Sequence, residues 1–134
     1  MRVFLDTNVL ASALATRGLC AELFESVLTG HELVTSAELL IELRRILTQK
    51  LKMPAEAAES FVDLVASSAE IAAVAGELPA GIPDPDDAPL LAAALAGGAD
   101  CFVTGDKALL NLGDVAGMPV ISPRRFWEWT RLGK

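Results

Sequence analysis

An α/β chain, folded as three layers α/β/α around a parallel sheet of about five strands, is the architecture this sequence predicts. Three observations point to it. Short apolar runs recur along the chain, and stretches with helical spacing of their apolar residues separate them. The first run, Val3-Phe4-Leu5, shows no polar alternation, as expected of a strand covered on both faces. Gly and Pro punctuate the joints, at Gly30, Pro54, Gly97-Gly98 and Pro123.

The elements follow in order. "VFL" at 3–5 is the first strand and ends in Asp6. From Val9 to about Leu28 the pattern is helical, with a break near Thr16-Arg17-Gly18. Gly30 and His31 form a surface turn into a second strand, "ELVTS". Ser36 is placed to cap a helix expected to run through Lys50, with Leu39, Leu40, Leu43, Ile46, Leu47 and Leu51 on one face. Pro54 opens the next helix, whose stripe holds Ala58, Phe61, Val62, Val65 and Ala69. "EIAAV" is the third strand, and residues 76–83 are a loop. The helix behind "DPDDAP" stops at Gly97-Gly98. "CFVT" is the fourth strand, a short helix spans 107–111, and "MPVIS" is the fifth strand. Pro123 opens a terminal helix whose Phe126, Trp127 and Trp129 are expected to pack in the core or against a second copy.

At 134 residues and 52% hydrophobic content, without repeats or linkers, the chain is expected to be a single domain over 1–134. The longest apolar run, Ala88 to Ala99, is too short to span a membrane. Asp6 and Asn8 interrupt an N-terminal stretch that would otherwise imitate a secretion signal. Cys20 and Cys101 lack C-x-x-C partners and are expected to be buried thiols, so a reducing cytoplasm is the expected location. A net charge of −7 argues against a broad, non-specific phosphate-binding surface. It leaves room for a narrow site in which metal ions carry the positive charge.

Carboxylates converge on such a site. In a parallel α/β sheet ligands bind beyond the carboxyl ends of the strands. Asp6 ends the first strand, and Asp106 follows the fourth after Gly105. Glu42 lies within two turns of the start of the helix after the second strand, and Asp84, Asp86 and Asp87 open the helix after the third. Like charges 4 Å apart repel by roughly 4 kcal/mol at an effective dielectric of 20, so the cluster favours bound cations. All-oxygen donors without His or Cys favour Mg²⁺ or Mn²⁺ over Zn²⁺. Ordinary capping competes as an explanation for Asp84, Asp106 and above all Asp86. Arg44, Arg45, Lys50 and Lys52 are candidate substrate-phosphate contacts away from the metals, or else a solvated helix face.

"FLDTNVL" at 4–10, Ser36-x-x-Leu39-x-x-Glu42, "DPDDAPLLAAALAGGADCFVTGD" at 84–106 and the closing "VIS" together resemble the PIN-domain nucleases, most closely the toxin-like branch. The resemblance implies a PIN-like fold and an acidic, metal-binding quartet of Asp6, Glu42, Asp87 and Asp106. Asp84 matches a further acid of this branch, and Asn8 and Thr104 match polar residues that steady the acids or the metal-bound waters. It also implies RNA phosphodiester cleavage with one or two Mg²⁺ or Mn²⁺ ions, by a toxin whose small antitoxin plugs the site. Glu42 is left as ligand or base. Pro83 stands where related chains often carry a basic residue.

Rival functions fit less well. A haloacid-dehalogenase-like phosphatase needs a second Asp two positions after the first, where this chain has Asn8. A Toprim-like D-x-D belongs at a strand end, whereas Asp84-Pro85-Asp86 follows a Gly/Pro loop. A PIN-like interaction domain that had lost cleavage would be expected to lack one of the four acids, and all are present.

Overall fold

The computed structural model describes residues 1–73 and 78–131. Strand β1 (Arg2–Leu5) leads into helices α1 (Thr7–Ala15) and α2 (Leu19–Gly30), then β2 (Glu32–Thr35) and α3 (Ala37–Arg45). Helix α4 (Ala55–Ser68), β3 (Ala69–Ile71), α5 (Ala88–Ala96), β4 (Cys101–Val103) and α6 (Lys107–Leu110) follow. Strands β5 (Asp114–Val115) and β6 (Met118–Ile121) precede the final helix α7 (Pro123–Arg131).

The six-stranded sheet has the order β3-β2-β1-β4-β6-β5, parallel except for β5. The chain moves outward from β1 to β3, then returns to the other side of β1 as β4. That reversal opens a crevice at the carboxyl ends of β1 and β4, where α/β folds bind ligands. Val3, Phe4 and Leu5 of β1 pair in register with Cys101, Phe102 and Val103 of β4, and all six are fully buried. Phe4 and Phe102 stack with ring centroids 5.2 Å apart. Continuous apolar strands are thus satisfied by helices on both faces.

Local signals set most of the helix ends. Ser36 Oγ accepts from the Leu39 amide at 3.2 Å and starts α3. Helix α5 stops at Gly97, where a Cβ would meet Val34 Cγ1 at 2.7 Å and only glycine fits, and Gly98 turns the chain away at φ +69°. Pro54 and Pro123 stand at their expected helix starts.

Four expectations need correction. The helix after Ser36 does not stay α-helical to Lys50. It widens to a π-turn over Ile46–Lys50, where the Leu51 amide reaches Ile46 O, and this leaves the Leu51 side chain exposed instead of on the apolar face. The third strand begins at Ala69, and the expected residue 74 and part of the 76–83 loop lie outside the described residues. A sixth strand, β5, pairs antiparallel with β6 through a tight turn at Ala116 and Gly117, both at positive φ. His31 is half-buried, with its ring edge on Phe126 at 5.6 Å, and is not a plain surface turn residue. Of the expected terminal-helix packing residues, Phe126 is buried and Trp129 packs against the core.

Candidate functional site

Asp6 sits where β1 becomes α1, and the sheet itself fixes it. Its amide donates to Val103 O at 2.9 Å, while its carbonyl accepts from Val9 and Leu10 at the start of α1. The side chain is 4% exposed. One carboxylate oxygen accepts from the Thr7 amide at 2.8 Å; the other accepts from Thr104 Oγ1 at 2.7 Å and Asn8 Nδ2 at 3.2 Å. Burial raises the Asp6 pKa, the bonds from Thr104 and Thr7 oppose that, and the charges of Glu42 and Asp106 add to it.

Thr104 is the joint between the two central strands. Fully buried, it donates to Asp6 and accepts from the Asp106 amide at 3.0 Å. Asn8 closes the same turn from the other side, its Oδ1 accepting from the Gly105 amide at 3.0 Å. Asp106 Oδ1 in turn caps α6, accepting from Ala108 at 2.8 Å and more weakly from Leu109 at 3.4 Å. The capping reading of Asp106 is therefore correct for one oxygen, and Oδ2 carries no protein hydrogen bond among the described residues.

Glu42 of α3 and Asp84, which precedes the 3₁₀ turn Pro85–Asp87, lie near enough to Asp87 for their charges to act on it, as do Asp6 and Asp106. Asp84, not Asp86, is the cap: its Oδ1 accepts from the Asp86 amide at 2.9 Å, and Asp86 is an exposed member of the turn. Half-buried Glu42 and Asp87 have no side-chain hydrogen bond among the described residues. Burial, followed by the charges of Asp6, Asp84, Asp106 and Glu42, pushes the Asp87 carboxyl up to about 6. The predicted acids therefore act on one another electrostatically.

They do not close into a coordination shell. Among the described residues no three His, Cys, Asp or Glu side chains are grouped so as to hold one ion. The donor chemistry nevertheless fits a hard divalent cation: oxygen donors only, surplus negative charge, and no cation in the hydrogen-bond network of Asp6.

The basic group begins on α3 just after Glu42. Arg44 is held by Glu59 of α4, with Nε–Oε2 at 2.7 Å and Nη2–Oε1 at 3.1 Å. Arg45, Lys50 and Lys52 are exposed, and Lys50 lies on the order of 10 Å beyond Glu42 along the helix. Arg45 follows Glu42 by three residues on α3 and so neighbours it on the helix surface.

Sequence reasoning missed a cavity of about 400 Å³ beside Asn8 and Asp106, walled by Val9, Ser12, Cys20 and Pro123. Cys20, expected to be buried, is half-exposed there, whereas Cys101 is buried as expected. Thr7 and Thr35, at the carboxyl ends of β1 and β2, were also missed; their hydroxyls are buried without a partner among the described residues. No motif announces these walls, because Pro123 meets α1 only through the tertiary fold.

The sequence profile of the PIN domain family matches residues 2–108, which include Asp6, Asn8, Glu42, Asp84, Asp87, Thr104 and Asp106. The chain belongs to the PIN-domain family. Members of this family are typically nucleases and in general depend on metal ions. Among solved structures, this PIN domain is similar to a chain of VapBC2 from Rickettsia felis, bound to a DNA fragment from their promoter. The TM-score is 0.66 at 17% identity, covering 91% of this chain and 98% of that one, a likeness of fold. No curated protein matches the sequence. Among the described residues no helix is long and apolar enough to cross a membrane.

Proposed function

We propose that this PIN domain, as a single unit over residues 1–134, is a Mg²⁺- or Mn²⁺-dependent endoribonuclease and the toxin of a toxin–antitoxin pair. The observation that carries the proposal is Asp6, buried at the crevice between β1 and β4 and surrounded by carboxylates that raise the pKa of Asp87. Asp6, Asp87 and Asp106 would hold one or two cations, with Glu42 as a further ligand or as the base that takes a proton from the attacking water. Asp84 supports the rim through its charge and its cap. Thr104 and Asn8 orient Asp6 and tie the Asp106 turn to β1. A bound divalent cation supplies Lewis acidity at the phosphate oxygens and eases deprotonation of water.

The toxin assignment rests on the motif resemblance to the toxin-like branch. A small protein antitoxin, a cytoplasmic location and a homodimer belong to the same proposal. The fold likeness to VapBC2 agrees with it.

The test is RNA cleavage in Mn²⁺ or Mg²⁺ by wild type, Asp6→Asn and Asp87→Asn. Loss of a key charged group from such a site is expected to cost about a hundredfold or more in rate. Equal activity in all three proteins, or cleavage undiminished by EDTA, overturns the mechanism.

A further inference from the structure

We propose that Arg2, at the opposite edge of the sheet from the acids, is a positioning residue: it latches the far end of α5 and so sets how closely Asp87 approaches Asp6. The consequence for catalysis rests on the metal-dependent reading, whereas the latch itself stands on the fold.

Asp87 rides on a continuous rod. The 3₁₀ turn Pro85–Asp87 passes into α5 without a break, the Ala88 amide donating to Pro85 O. From Asp87 to the stop at Gly97 the rod is about 15 Å long, so a shift of one end is carried to the other. Five of the nine α5 residues are Ala, and Leu90, Leu91, Ala93 and Ala94 are buried. Methyl groups pack closely but make shallow ridges, which resist sliding less than interlocking long side chains do. The position of the rod along its axis therefore depends on its ends. The leading end is loosely held: among the described residues Asp87 has no side-chain hydrogen bond, and Asp84 bonds only within its own turn.

The trailing end is gripped. Arg2 Nε donates to Gly97 O at 2.8 Å, a terminal carbonyl that the helix itself leaves without a partner. A cation is also favoured there by the helix dipole. The Arg2 amide donates to Asp100 Oδ2 and the Asp100 amide to Arg2 O, each at 2.7 Å, so the turn behind α5 is bound to the start of β1. Glu32 of β2 and Glu70 of β3 hold Nη1 and Nη2 of the same guanidinium, which fixes the direction of its Nε–H. Gly97 lets the helix end come this close, since a Cβ there would meet Val34 Cγ1 at 2.7 Å and Ala72 Cβ at 3.0 Å.

Two variants release the latch. Arg2→Met keeps the aliphatic stem and removes every side-chain donor, and Gly97→Ala pushes the helix end off Val34. Metal-free crystal structures of both are expected to show α5 displaced, with Asp87 moved relative to Asp6. Mn²⁺ affinity, followed by electron paramagnetic resonance, is expected to fall about tenfold. Cleavage of a labelled RNA oligomer at limiting Mn²⁺ is expected to lose up to about a hundredfold in kcat, with KM for RNA unchanged and kcat restored by excess Mn²⁺. The double variant Glu32→Gln, Glu70→Gln loses the same ion pairs but keeps the donor to Gly97, and is expected to match wild type in Mn²⁺ affinity and kcat. An unmoved α5 in both single variants overturns the latch. A displaced α5 with unchanged Mn²⁺ affinity overturns its bearing on the acids, and so does a double variant that loses affinity as Arg2→Met does. Wild type that binds no Mn²⁺ overturns the metal reading, and the crystal structures then decide the latch alone.

Discussion

On the β1–β4 side of the acidic crevice, the Asp6 carboxylate accepts from Thr7, Asn8 and Thr104, and its own amide belongs to the sheet ladder. On the α3–α5 side, Glu42 and Asp87 accept no hydrogen bond among the described residues, and Asp84 bonds only within its own turn. The same residue type is thus held by opposite means. One half is organised in advance by directed bonds; the other is left under mutual repulsion that a cation would relieve. A site built this way has a fixed anchor and a responsive wall.

Substitutions should separate the halves by both size and sign of effect. The largest change in stability is expected from Thr104→Val, which strips the buried Asp6 of a donor and leaves the Asp106 amide without its acceptor. Urea denaturation should show a loss of about 2–3 kcal/mol. A loss no larger than that of Glu42→Gln, expected within about 0.5 kcal/mol, would erase the distinction between anchor and wall.

Asp87→Asn should act in the opposite direction. In the folded chain the Asp87 carboxyl titrates at about 6, against the ordinary value of 3.8. The folded state therefore binds more protons between those values, and the metal-free protein loses stability as pH rises through them. Above about pH 6 the penalty is complete; near pH 3 both states are protonated and it vanishes. Asp87→Asn should stabilise the metal-free protein at pH 7 by about 1 kcal/mol, solvent screening at this half-exposed group having reduced the full shift, and should flatten the pH profile. Wild type should gain more stability from Mn²⁺ than the variant does. A variant less stable than wild type at pH 7 without metal would show that Asp87 is held by bonds after all.

The smallest effect is expected from Arg44→Ala. Its guanidinium is engaged by Glu59 across α3 and α4, on the surface, so the melting temperature should scarcely move and RNA cleavage should be unaffected. A large loss of cleavage would return the 44–52 group to the substrate path.

What could be read in advance divides along physical lines. Val3–Leu5 and Cys101–Val103 announced central strands because strands buried on both faces contain only apolar residues. The Ser36 cap and the glycine stop at 97–98 are local chemistry, visible in single residues. The β5–β6 hairpin was illegible because Ala116 occupies a left-handed turn position where Asn or Asp would have signalled it. The π-turn at 46–50 has no residue signature at all. For the acids, topology predicted which edge they share, since it follows from strand order. It did not predict that Asp84 takes the cap expected of Asp86, or that Arg44 is already paired. The cavity was invisible because its walls come from α1, α2 and α7, separated along the chain and joined only by packing.

The backbone tie of Asp6 to Val103 also bears on how such a site can evolve. Because the central acid is fixed by strand pairing, changes in surface segments can alter what approaches it without moving it. Residues such as Ser12, Cys20 and Arg124 can change while the position of Asp6 is inherited with the sheet. The surroundings of the acid and its placement are in this sense separately mutable, and the hydrogen bond between two strand ends is the partition between them.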